Sequence, residues 1–370
     1  MKIGVLTFHR SHNYGAFLQC YSLVETLKNC GHEVSVINFN NIAPRGYSIR
    51  WTKRLWANYY LIKRYRMFNR LQALLPLTQP AVDSGDPDLF SKYVEGKFDV
   101  IVTGSDEVWR IAGGFRDTPN VYWLMGDVDA RKMAYAISSR GDFSTLPEEK
   151  LDKLREILKG YDFISMRDTY SQQQVQTLTQ HHVHQCCDPT FLSPLQGDPQ
   201  RGREILKKHG VRKDKVVAFM GRERSLIKAV KKQFGKDVDI VSLYDYNPGC
   251  KNLLGLTPFE WVDVISAVDF MFTNYFHGMC FCIKNNTRFL AIDHREKIKE
   301  RGKMYDLLRL EGLLHCFLSC DDKDYEIKAV ADLKKALQCD QAVDYSAAVT
   351  HLRETSKPFF DALTKLATDR

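Results

Sequence analysis

Short, continuously apolar runs recur along the chain, each followed by a polar turn and a stretch with apolar residues at helical spacing. Four such runs in the first half are Lys2–Phe8, Glu33–Phe39, Phe98–Gly104 and Lys132–Ser138. Runs of this kind are typical of strands buried on both faces of a parallel sheet. The order of elements therefore predicts βαβ units, although the first one lacks the GxGxxG fingerprint of dinucleotide-binding folds.

The same rhythm continues through the second half of the chain. A stretch rich in Pro, Gly and Gln, 194–201, separates the halves, and predicted strands follow at 216–220, 238–243, 268–272 and 288–292. We therefore predict an α/β fold with two Rossmann-like, doubly wound domains, 1–195 and 196–325, which face each other across a cleft. Residues 326–370 are predicted to form C-terminal helices.

Residues 48–75 interrupt this rhythm with a basic, aromatic-rich helical pattern. Aromatic residues from Trp51 to Phe68 are interleaved with basic residues from Lys53 to Arg70. One interpretation is an amphipathic helix at the surface of an anionic membrane. The other is a helical excursion that packs over the sheet and leaves its charges in solvent. The pattern by itself leaves both open.

The turn after the run at 268–272 carries the first candidate for chemistry. The segment Thr273–Asn285 passes Asn274 and His277-Gly278 and continues as an apolar helix. Ligands of open α/β sheets bind at such turns, and a helix N-terminus favours anions. We predict a proton-transferring role for His277, with a structural histidine as the alternative.

Two strand ends in the first half also carry polar side chains. Ser105 and Asp106 follow the run at 98–104, where a hydroxyl and a carboxylate are well placed to hold sugar hydroxyls. Arg167 follows the run at 163–166. We predict that Arg167 either grips a phosphate or carboxylate or forms a structural ion pair.

Composition narrows the class of protein. The chain has 370 residues, 44% of them hydrophobic, and a formal charge of +8, which suggests an anionic partner without choosing among substrate, lipid and nucleic acid. Its ten cysteines are scattered, mostly in apolar segments, as in reduced cytosolic proteins. The cluster from His181 to Cys187 has no further ligand pattern, so we predict no metal site. Neither a signal peptide nor a membrane-spanning stretch is expected.

Taken in order, several of these segments resemble the polysaccharide pyruvyl transferases. The resemblance extends from Lys2 to about Leu308 and rests on these motifs: Thr7-Phe8 with His12-Asn13-Tyr14-Gly15-Ala16 and Leu18-Gln19, Gly104-Ser105-Asp106-Glu107-Val108-Trp109, Ser165-Met166-Arg167-Asp168 with Ser171, Asp188-Pro189-Thr190 and Phe276-His277-Gly278. Each motif is weak by itself, and their order and separation make the set specific.

The resemblance implies a GT-B-like arrangement and transfer of the carbon skeleton of phosphoenolpyruvate to two hydroxyls of a sugar, as a cyclic pyruvate ketal. The implied acceptor is a lipid-pyrophosphate-linked saccharide precursor of a capsular or exopolysaccharide, with a galactose-type sugar expected. That setting implies a cytoplasmic enzyme, peripheral at the inner face of the cytoplasmic membrane, with residues 48–75 as the contact. Neither a cofactor beyond phosphoenolpyruvate nor a nucleic-acid partner is expected.

The motifs also imply roles for individual residues. His277 resembles the family's catalytic histidine and Arg167 its phosphoenolpyruvate-binding arginine. We expect Asp106 to act on a sugar hydroxyl and Gly278 to lie beside the donor. The acceptor is expected to contact five further residues: Asn13, Tyr14, Gly15, Ser105 and Asn274.

The chain departs from the family pattern at three positions. Glu107 stands where the family often has Gln, and Arg110 stands where Asn is common. Tyr275 occupies the position where many members carry an arginine just before the histidine. The missing cation is expected to come from one of three residues: Arg222, Arg224 or Arg295.

Two other functions stay open. The same architecture serves glycosyltransferases that use a nucleotide sugar, and the positive charge would suit a nucleic-acid binder or a scaffold. The binder is disfavoured because the basic residues concentrate in one helix and at strand ends, without a recognised nucleic-acid module. The donor that stabilises the native protein, phosphoenolpyruvate or a nucleotide sugar, separates the two enzymes.

Overall fold

The computed structural model describes residues 1–40, 55–111, 118–293 and 302–369. The chain divides into two compact units. The first unit comprises Met1–Ser193 together with Leu352–Arg370, and the second comprises Pro194–His351.

The first unit is built on a parallel sheet of six strands in the order β2-β1-β3-β4-β5-β6. The strands are β1 Lys2–Leu6, β2 Glu33–Val36, β3 Val100–Asp106, β4 Arg131–Ile137, β5 Phe163–Met166 and β6 Val183–Gln185. The strand order reverses between β1 and β3, as it does in flavodoxin-like folds. The chain passes from β1 to β2 on one side and then crosses back to β3 on the other. Because such crossovers are right-handed, the connecting helices on the two sides of β1 cover opposite faces of the sheet.

The described part of the first unit has six α-helices before residue 193, and four of them begin at a polar side-chain cap. They are α1 Tyr14–Asn29, α2 Leu55–Leu71, α3 Pro87–Val94, α4 Glu148–Lys159, α5 Thr169–Gln176 and α6 Pro189–Leu192. The side chains of Asn13, Asp86, Asp168 and Asp188 accept backbone N–H groups at the starts of α1, α3, α5 and α6. Each cap satisfies donors that the first turn of a helix leaves without an intrahelical partner.

The second unit has its own parallel six-stranded sheet, in the order β12-β11-β10-β7-β8-β9. The strands are β7 Lys215–Met220, β8 Val238–Leu243, β9 Lys251–Leu253, β10 Phe270–Thr273, β11 Phe289–Asp293 and β12 Phe317–Ser319. Counted from β7, this is the 3-2-1-4-5-6 order of a Rossmann fold, with the reversal between β7 and β10. The predicted α/β fold with two Rossmann-like units is therefore confirmed.

Helices alternate with these strands along the chain. They are α7 Pro199–Lys208, α8 Arg224–Phe234, α9 Pro258–Ala267, α10 Phe276–Lys284, α11 Lys303–Leu310 and α12 Tyr325–Gln338. Helix α9 starts with a capping box, in which Thr257 and Glu260 each satisfy the other's backbone N–H. The short elements α3, β9, α11 and β12 were not predicted, because segments of three to eight residues show too little periodicity.

The segment predicted to form C-terminal helices, 326–370, carries three helices in its described part, and these are divided between the two units. Helix α12 lies in the second unit, α13 (Ser346–Glu354) crosses the division at Leu352, and α14 (Lys357–Thr368) returns to the first unit. There the fully buried ring of Phe359 contacts Tyr135 on β4 and Phe163 on β5, at centroid distances of 4.6 and 5.7 Å. The last helix therefore completes the core of the first unit.

Helix α2 forms most of the described part, 55–75, of the predicted excursion at 48–75; residues 48–54 lie outside the described residues. One face packs on the loop after β1: Arg64 donates to the carbonyl of His12, and Phe68 stacks on the His12 ring at 5.6 Å. The opposite face presents Tyr59, Lys63, Arg66 and Arg70, all exposed and spaced by three or four residues. We call this exposed row of three basic residues and one tyrosine the basic stripe. The helix thus packs on the first unit by one face and exposes a positively charged stripe on the other.

We expect Phe359→Ala to lower the free energy of unfolding by about 3–5 kcal/mol, because it removes a fully buried aromatic ring that joins α14 to the sheet. Urea unfolding, followed by circular dichroism, measures this change. Phe360→Ala on the same helix is the control, since Phe360 is only half-buried, and its cost should be clearly smaller. Equal costs for the two variants would contradict the role of α14 as part of this core.

Candidate functional site

In the first unit, polar groups gather where the strand order reverses. The hydroxyl of Thr7, just after β1, donates to the carbonyl of Ser105 on β3 at 2.7 Å. Asp106 ends β3 with a φ of 84°, a left-handed conformation that is costly for a residue with a Cβ. The point of reversal in such a sheet is the usual place for a ligand. The backbone therefore places the Asp106 carboxylate at the edge where binding is expected.

Arg167 lies beside Asp106 and is almost fully buried. Its side chain is 1% exposed, and its Nη1 lies 2.6 Å from the carboxylate of Asp188, which is also buried. Its Nη2 lies 3.7 Å from Asp106, and its Nε donates to the hydroxyl of Ser138 at 3.1 Å. Burial lowers the pKa of Arg167, but the carboxylates of Asp188 and Asp106 outweigh it and hold that pKa above its usual value. The guanidinium stays charged inside the protein.

This network extends into two helix caps. Ser138 donates to Asp168 at 2.7 Å, and the other oxygen of Asp168 accepts the backbone N–H of Ser171. Burial raises the pKa of the Asp168 carboxyl, and these hydrogen bonds work against that rise. Asp188 likewise accepts the backbone N–H of Thr190. The two motifs that contain Arg167 and Asp188 are thus joined by one buried network.

The predicted acceptor residues of the first unit are held by local structure. Asn13 accepts the backbone N–H groups of Gly15 and Ala16 at the start of α1. Tyr14 is buried and stacks on Phe68 of α2. Ser105 is buried, and its hydroxyl donates to the carbonyl of Ala136 at 2.7 Å. Their contact with an acceptor stays a prediction, and so does the contact of Arg167 with a donor.

In the second unit, the reversal between β7 and β10 brings two turns together. Gly221 follows β7 with a φ of 143°, and a Cβ placed there would lie 2.7 Å from Oδ1 of Asn274. Asn274 in turn donates to the buried carboxylate of Glu223 at 3.2 Å. Only glycine fits this close approach. The turn that leads to His277 is therefore packed against the turn that carries Arg222.

A carboxylate from a third strand end joins Arg222 to Tyr275. Asp245, two residues after β8, accepts from Nε of Arg222 at 3.0 Å and from the hydroxyl of Tyr275 at 2.8 Å. Burial and the Asp245 charge raise the pKa of Tyr275, so its hydroxyl stays protonated and donates. The side chain of Arg222 is nevertheless 75% exposed. Asp245 thus holds one edge of a guanidinium whose remaining surface faces solvent.

His277 is the second residue of α10 and is half-buried. Its ring meets that of Phe276 edge-to-face at 5.4 Å, and the ammonium of Lys303 lies 5.1 Å from the centre of the Phe276 ring. A Cβ on Gly278 would lie 2.6 Å from Oγ1 of Thr273 and 2.9 Å from Sδ of Met220. Gly278 therefore lets the start of α10 approach the ends of β10 and β7. His277, in the first turn of α10, lies at this same place.

The structure thus assembles the predicted residues in two groups. Asp106, Arg167 and Ser105 lie together in the first unit. His277, Gly278, Asn274 and Arg222 lie together in the second unit, and Arg295 falls outside the described residues. Sequence reasoning missed Asp245 and Glu223 as members of the second group. The sequence did contain a sign of both, since each is a carboxylate within three residues of the end of an apolar run.

Metal-ligating side chains do not converge in the described part of the chain. Among those residues, no group of three or more His, Cys, Asp or Glu side chains is arranged to hold a metal ion. In the cluster from His181 to Cys187, the His182 and His184 rings meet edge-to-face, His184 stacks on Phe163, and Cys186 is buried. In the same described ranges, no helix is both long enough and apolar enough to cross a membrane.

Comparisons with known proteins agree with this architecture. The family model for polysaccharide pyruvyl transferases matches residues 13–296. No protein of curated function matches the sequence. The chain is similar to the structure of UDP-GlcNAc 2-epimerase from Neisseria meningitidis bound to UDP-GlcNAc, with 9% identity, a TM-score of 0.58, and coverage of 99% of this chain and 100% of that one. The UDP-GlcNAc 2-epimerase from Methanocaldococcus jannaschii gives 10% identity, a TM-score of 0.59, and the same coverage. At this identity the likeness shows the fold alone, two Rossmann-like domains of the GT-B-like class.

We expect Arg167→Met to lower the free energy of unfolding by about 3–5 kcal/mol, because removing one partner of a buried ion pair leaves Asp188 buried without its counter-charge. Arg155→Met is the matched control. It also removes an arginine bound to carboxylates, but Glu148 and Asp152 are themselves exposed, so its cost should be much smaller. Denaturant unfolding at neutral pH measures both. Similar costs would contradict the structural role of Arg167.

Proposed function

The chain belongs to the polysaccharide pyruvyl transferase family, and on that premise we propose that it transfers the pyruvyl group of phosphoenolpyruvate to two hydroxyls of a saccharide, forming a cyclic ketal. The observation that carries this proposal is the arrangement of Arg222, Tyr275 and His277 at the strand-order reversal of the second unit. There Asp245 joins an exposed guanidinium to Tyr275, two residues before the candidate catalytic histidine.

The arrangement supplies a cation where the family pattern lost one. Tyr275 stands at the usual arginine position, and its hydroxyl shares the Asp245 carboxylate with Arg222. We propose that Arg222 holds the carboxylate or phosphate of phosphoenolpyruvate. A guanidinium has five N–H donors and binds such groups in a bidentate manner. The start of α10 adds the partial positive charge of a helix N-terminus, and Gly278 keeps that start close to the strands.

The proposed reaction needs a proton at one carbon and a nucleophile at the next. His277 protonates the methylene carbon of phosphoenolpyruvate, and the adjacent carbon becomes electrophilic. One sugar hydroxyl adds to that carbon, and a second then displaces phosphate and closes the ketal ring. The two hydroxyl protons leave with the base and the phosphate, so a saccharide and phosphoenolpyruvate give a ketal and inorganic phosphate. Histidine is the side chain that most often transfers protons in general acid–base catalysis.

In the first unit, we propose that Asp106 accepts a hydrogen bond from the acceptor hydroxyl and orients it. Arg167 acts through Asp106: its buried guanidinium lies 3.7 Å from that carboxylate and holds it in position. This makes Arg167 a positioning residue. Asn13, Tyr14, Gly15 and Ser105 shape the same edge through the helix cap and the Thr7 contact. We propose phosphoenolpyruvate as the sole co-substrate, with neither metal nor further cofactor.

The acceptor we propose is a galactose-type sugar on a lipid-pyrophosphate-linked precursor of a capsular or exopolysaccharide. The feature that supports a lipid-linked acceptor is the basic stripe on α2. The helix carries four basic residues and no acidic one. Because its aromatic face is packed on the first unit, the stripe would attract anionic head groups by charge, with Tyr59 at the interface. A cytoplasmic enzyme that works at the inner membrane surface fits this arrangement.

We expect His277→Ala to lower kcat for phosphate release from phosphoenolpyruvate by about 10²–10⁴-fold, the usual contribution of a positioned acid or base. Galactose-, glucose- and N-acetylmannosamine-terminated acceptors, with and without a lipid pyrophosphate, form the assay panel. Mass spectrometry follows the acceptor for a gain of pyruvic acid less one water. A His277→Ala enzyme with near wild-type turnover would remove the catalytic assignment.

Arg222→Ala should raise the KM for phosphoenolpyruvate by about 10–100-fold, since a hydrogen bond to a charged group contributes about 1.5–3 kcal/mol. Lys232→Ala is the matched control: it removes an exposed cation from the far end of α8. An unchanged KM for Arg222→Ala would contradict the proposed role of Arg222 in donor binding. If phosphate release is absent from every acceptor and a nucleotide sugar raises the melting temperature instead, the glycosyltransferase alternative replaces the proposal.

The variant with both Lys63→Glu and Arg66→Glu should bind anionic vesicles at least about tenfold more weakly, since each basic residue near such a surface contributes about 1 kcal/mol. Co-sedimentation with phosphatidylserine-containing vesicles measures this. The control variant carries Lys153→Glu and Lys159→Glu on α4, which change the net charge equally at exposed positions. Equal loss in the two variants, or no binding by the wild type, would remove the membrane surface from the proposal.

A further inference from the structure

The first unit contains an open pocket of about 620 Å³, within the roughly 300–1,000 Å³ range of small-molecule sites. Its walls come from the loop after β1, the segment after β2 and the inner side of α2. We propose that this pocket is a subsite for a neutral sugar ring of the acceptor, next to the ring that receives the pyruvyl group. The sugar-binding capacity stands by itself, and its assignment to the acceptor rests on the proposed function.

The position of the pocket relative to Asp106 supports a subsite. Arg10 and His12, which follow β1, and Asn40, which follows β2, line the pocket. Asp106 ends β3, the neighbour of β1 on its other side. Adjacent strands are about 4.8 Å apart, so the ends of β1 and β2 lie about 5 and 10 Å along the sheet edge from the end of β3. A saccharide with one ring at Asp106 would place a neighbouring ring in this pocket.

The charges of the lining favour a neutral ligand. Arg10 and Asp83 carry opposite charges and contribute no net charge between them. Burial and the nearby charge of Arg64 lower the pKa of His12, so that its imidazole is neutral at neutral pH. The remaining polar groups are the amides of Asn40, Asn69 and Gln72. A pocket meant for phosphate would instead show an excess of positive charge.

The lining also matches the surface of a sugar ring. A pyranose presents hydroxyls that both donate and accept, and amides and a neutral imidazole offer both functions. Its C–H face needs an apolar partner, and Tyr65 and Phe39 place aromatic rings in the wall. Tyr65 is held in place by edge-to-face contact with His12 at 5.1 Å. Six of the eight lining residues carry amide, imidazole or charged groups, which suits a ligand with several hydroxyls.

The walls are held before any ligand binds. Nε of Arg10 donates to Oδ1 of Asn38, which also lies 3.2 Å from Nε2 of the buried His9. The side-chain amide of Gln72 donates to the carbonyl of His9 at 2.8 Å and fastens α2 to this loop. Burial lowers the pKa of His9 to about 4, so His9 stays neutral and serves this network. A preorganised site loses less conformational entropy when it binds.

Saturation-transfer NMR on the full-length protein, without phosphoenolpyruvate, tests this site with methyl β-galactoside, methyl β-glucoside and lactose as probes. We expect saturable binding of at least one probe by the wild type. Asn69→Ala and Tyr65→Ala should each weaken it by at least about fivefold, the loss of one hydrogen bond or ring contact. Tyr246→Ala is the matched control, an exposed tyrosine of the second unit that lies outside the pocket lining, and should bind as the wild type does.

Three results would overturn the subsite: no transfer to any probe, equal binding by Asn69→Ala and the wild type, or displacement of the sugar by inorganic phosphate at Arg10. Melting temperatures within a few degrees of the wild type show that the variants fold. The outcome is separate from that of the proposed function. Sugar binding that depends on Tyr65 without phosphate release retains the subsite and rejects the transferase, whereas pyruvyl transfer with an acceptor KM unchanged by Asn69→Ala does the reverse.

Discussion

The buried ion pair between Arg167 and Asp188 is the interaction on which the first unit depends. Arg167 follows β5 and Asp188 follows β6, and the same guanidinium reaches Asp106 at the end of β3. A charge removed from water is tolerated only with close counter-charges and hydrogen bonds, and here Ser138 and two helix caps complete the set. The network therefore fixes the strand ends and the orientation of the Asp106 carboxylate together.

The second unit also has an arginine–carboxylate pair, but here the arginine is the exposed partner. Asp245 is buried at the end of β8, and it binds Arg222 from the turn after β7 and Tyr275 from the turn after β10. In the first unit the cation is buried and the carboxylate of Asp106 faces the edge. In the second unit the carboxylate is buried and the cation faces solvent. Each unit thus presents one charge at its reversal point, a carboxylate suited to a hydroxyl and a guanidinium suited to a phosphate.

The two arginines of the candidate sites differ in exposure, and this bears on which of them corresponds to the donor-binding arginine of the family. The arginine that resembles the donor ligand, Arg167, is enclosed by carboxylates, while Arg222, identified only by its position in the chain, is the exposed cation beside Tyr275. Tyr275 stands at the position where the family pattern has an arginine, and it shares the Asp245 carboxylate with Arg222. The pocket beside α2, which we propose as a sugar subsite, gives the helical excursion a role that does not depend on the membrane.

From the sequence alone, the apolar runs determined most of the strands and the two Rossmann-like units, because buried parallel strands need continuous apolar residues. The strand-end positions of Asp106, Arg167 and His277 followed from the same pattern. Only the tertiary structure decided which of these charges are buried, that α14 returns to the first unit, and that Asp245 joins two distant turns. Burial and pairing depend on strand order and on contacts between residues far apart in the chain, and local periodicity carries no information about either.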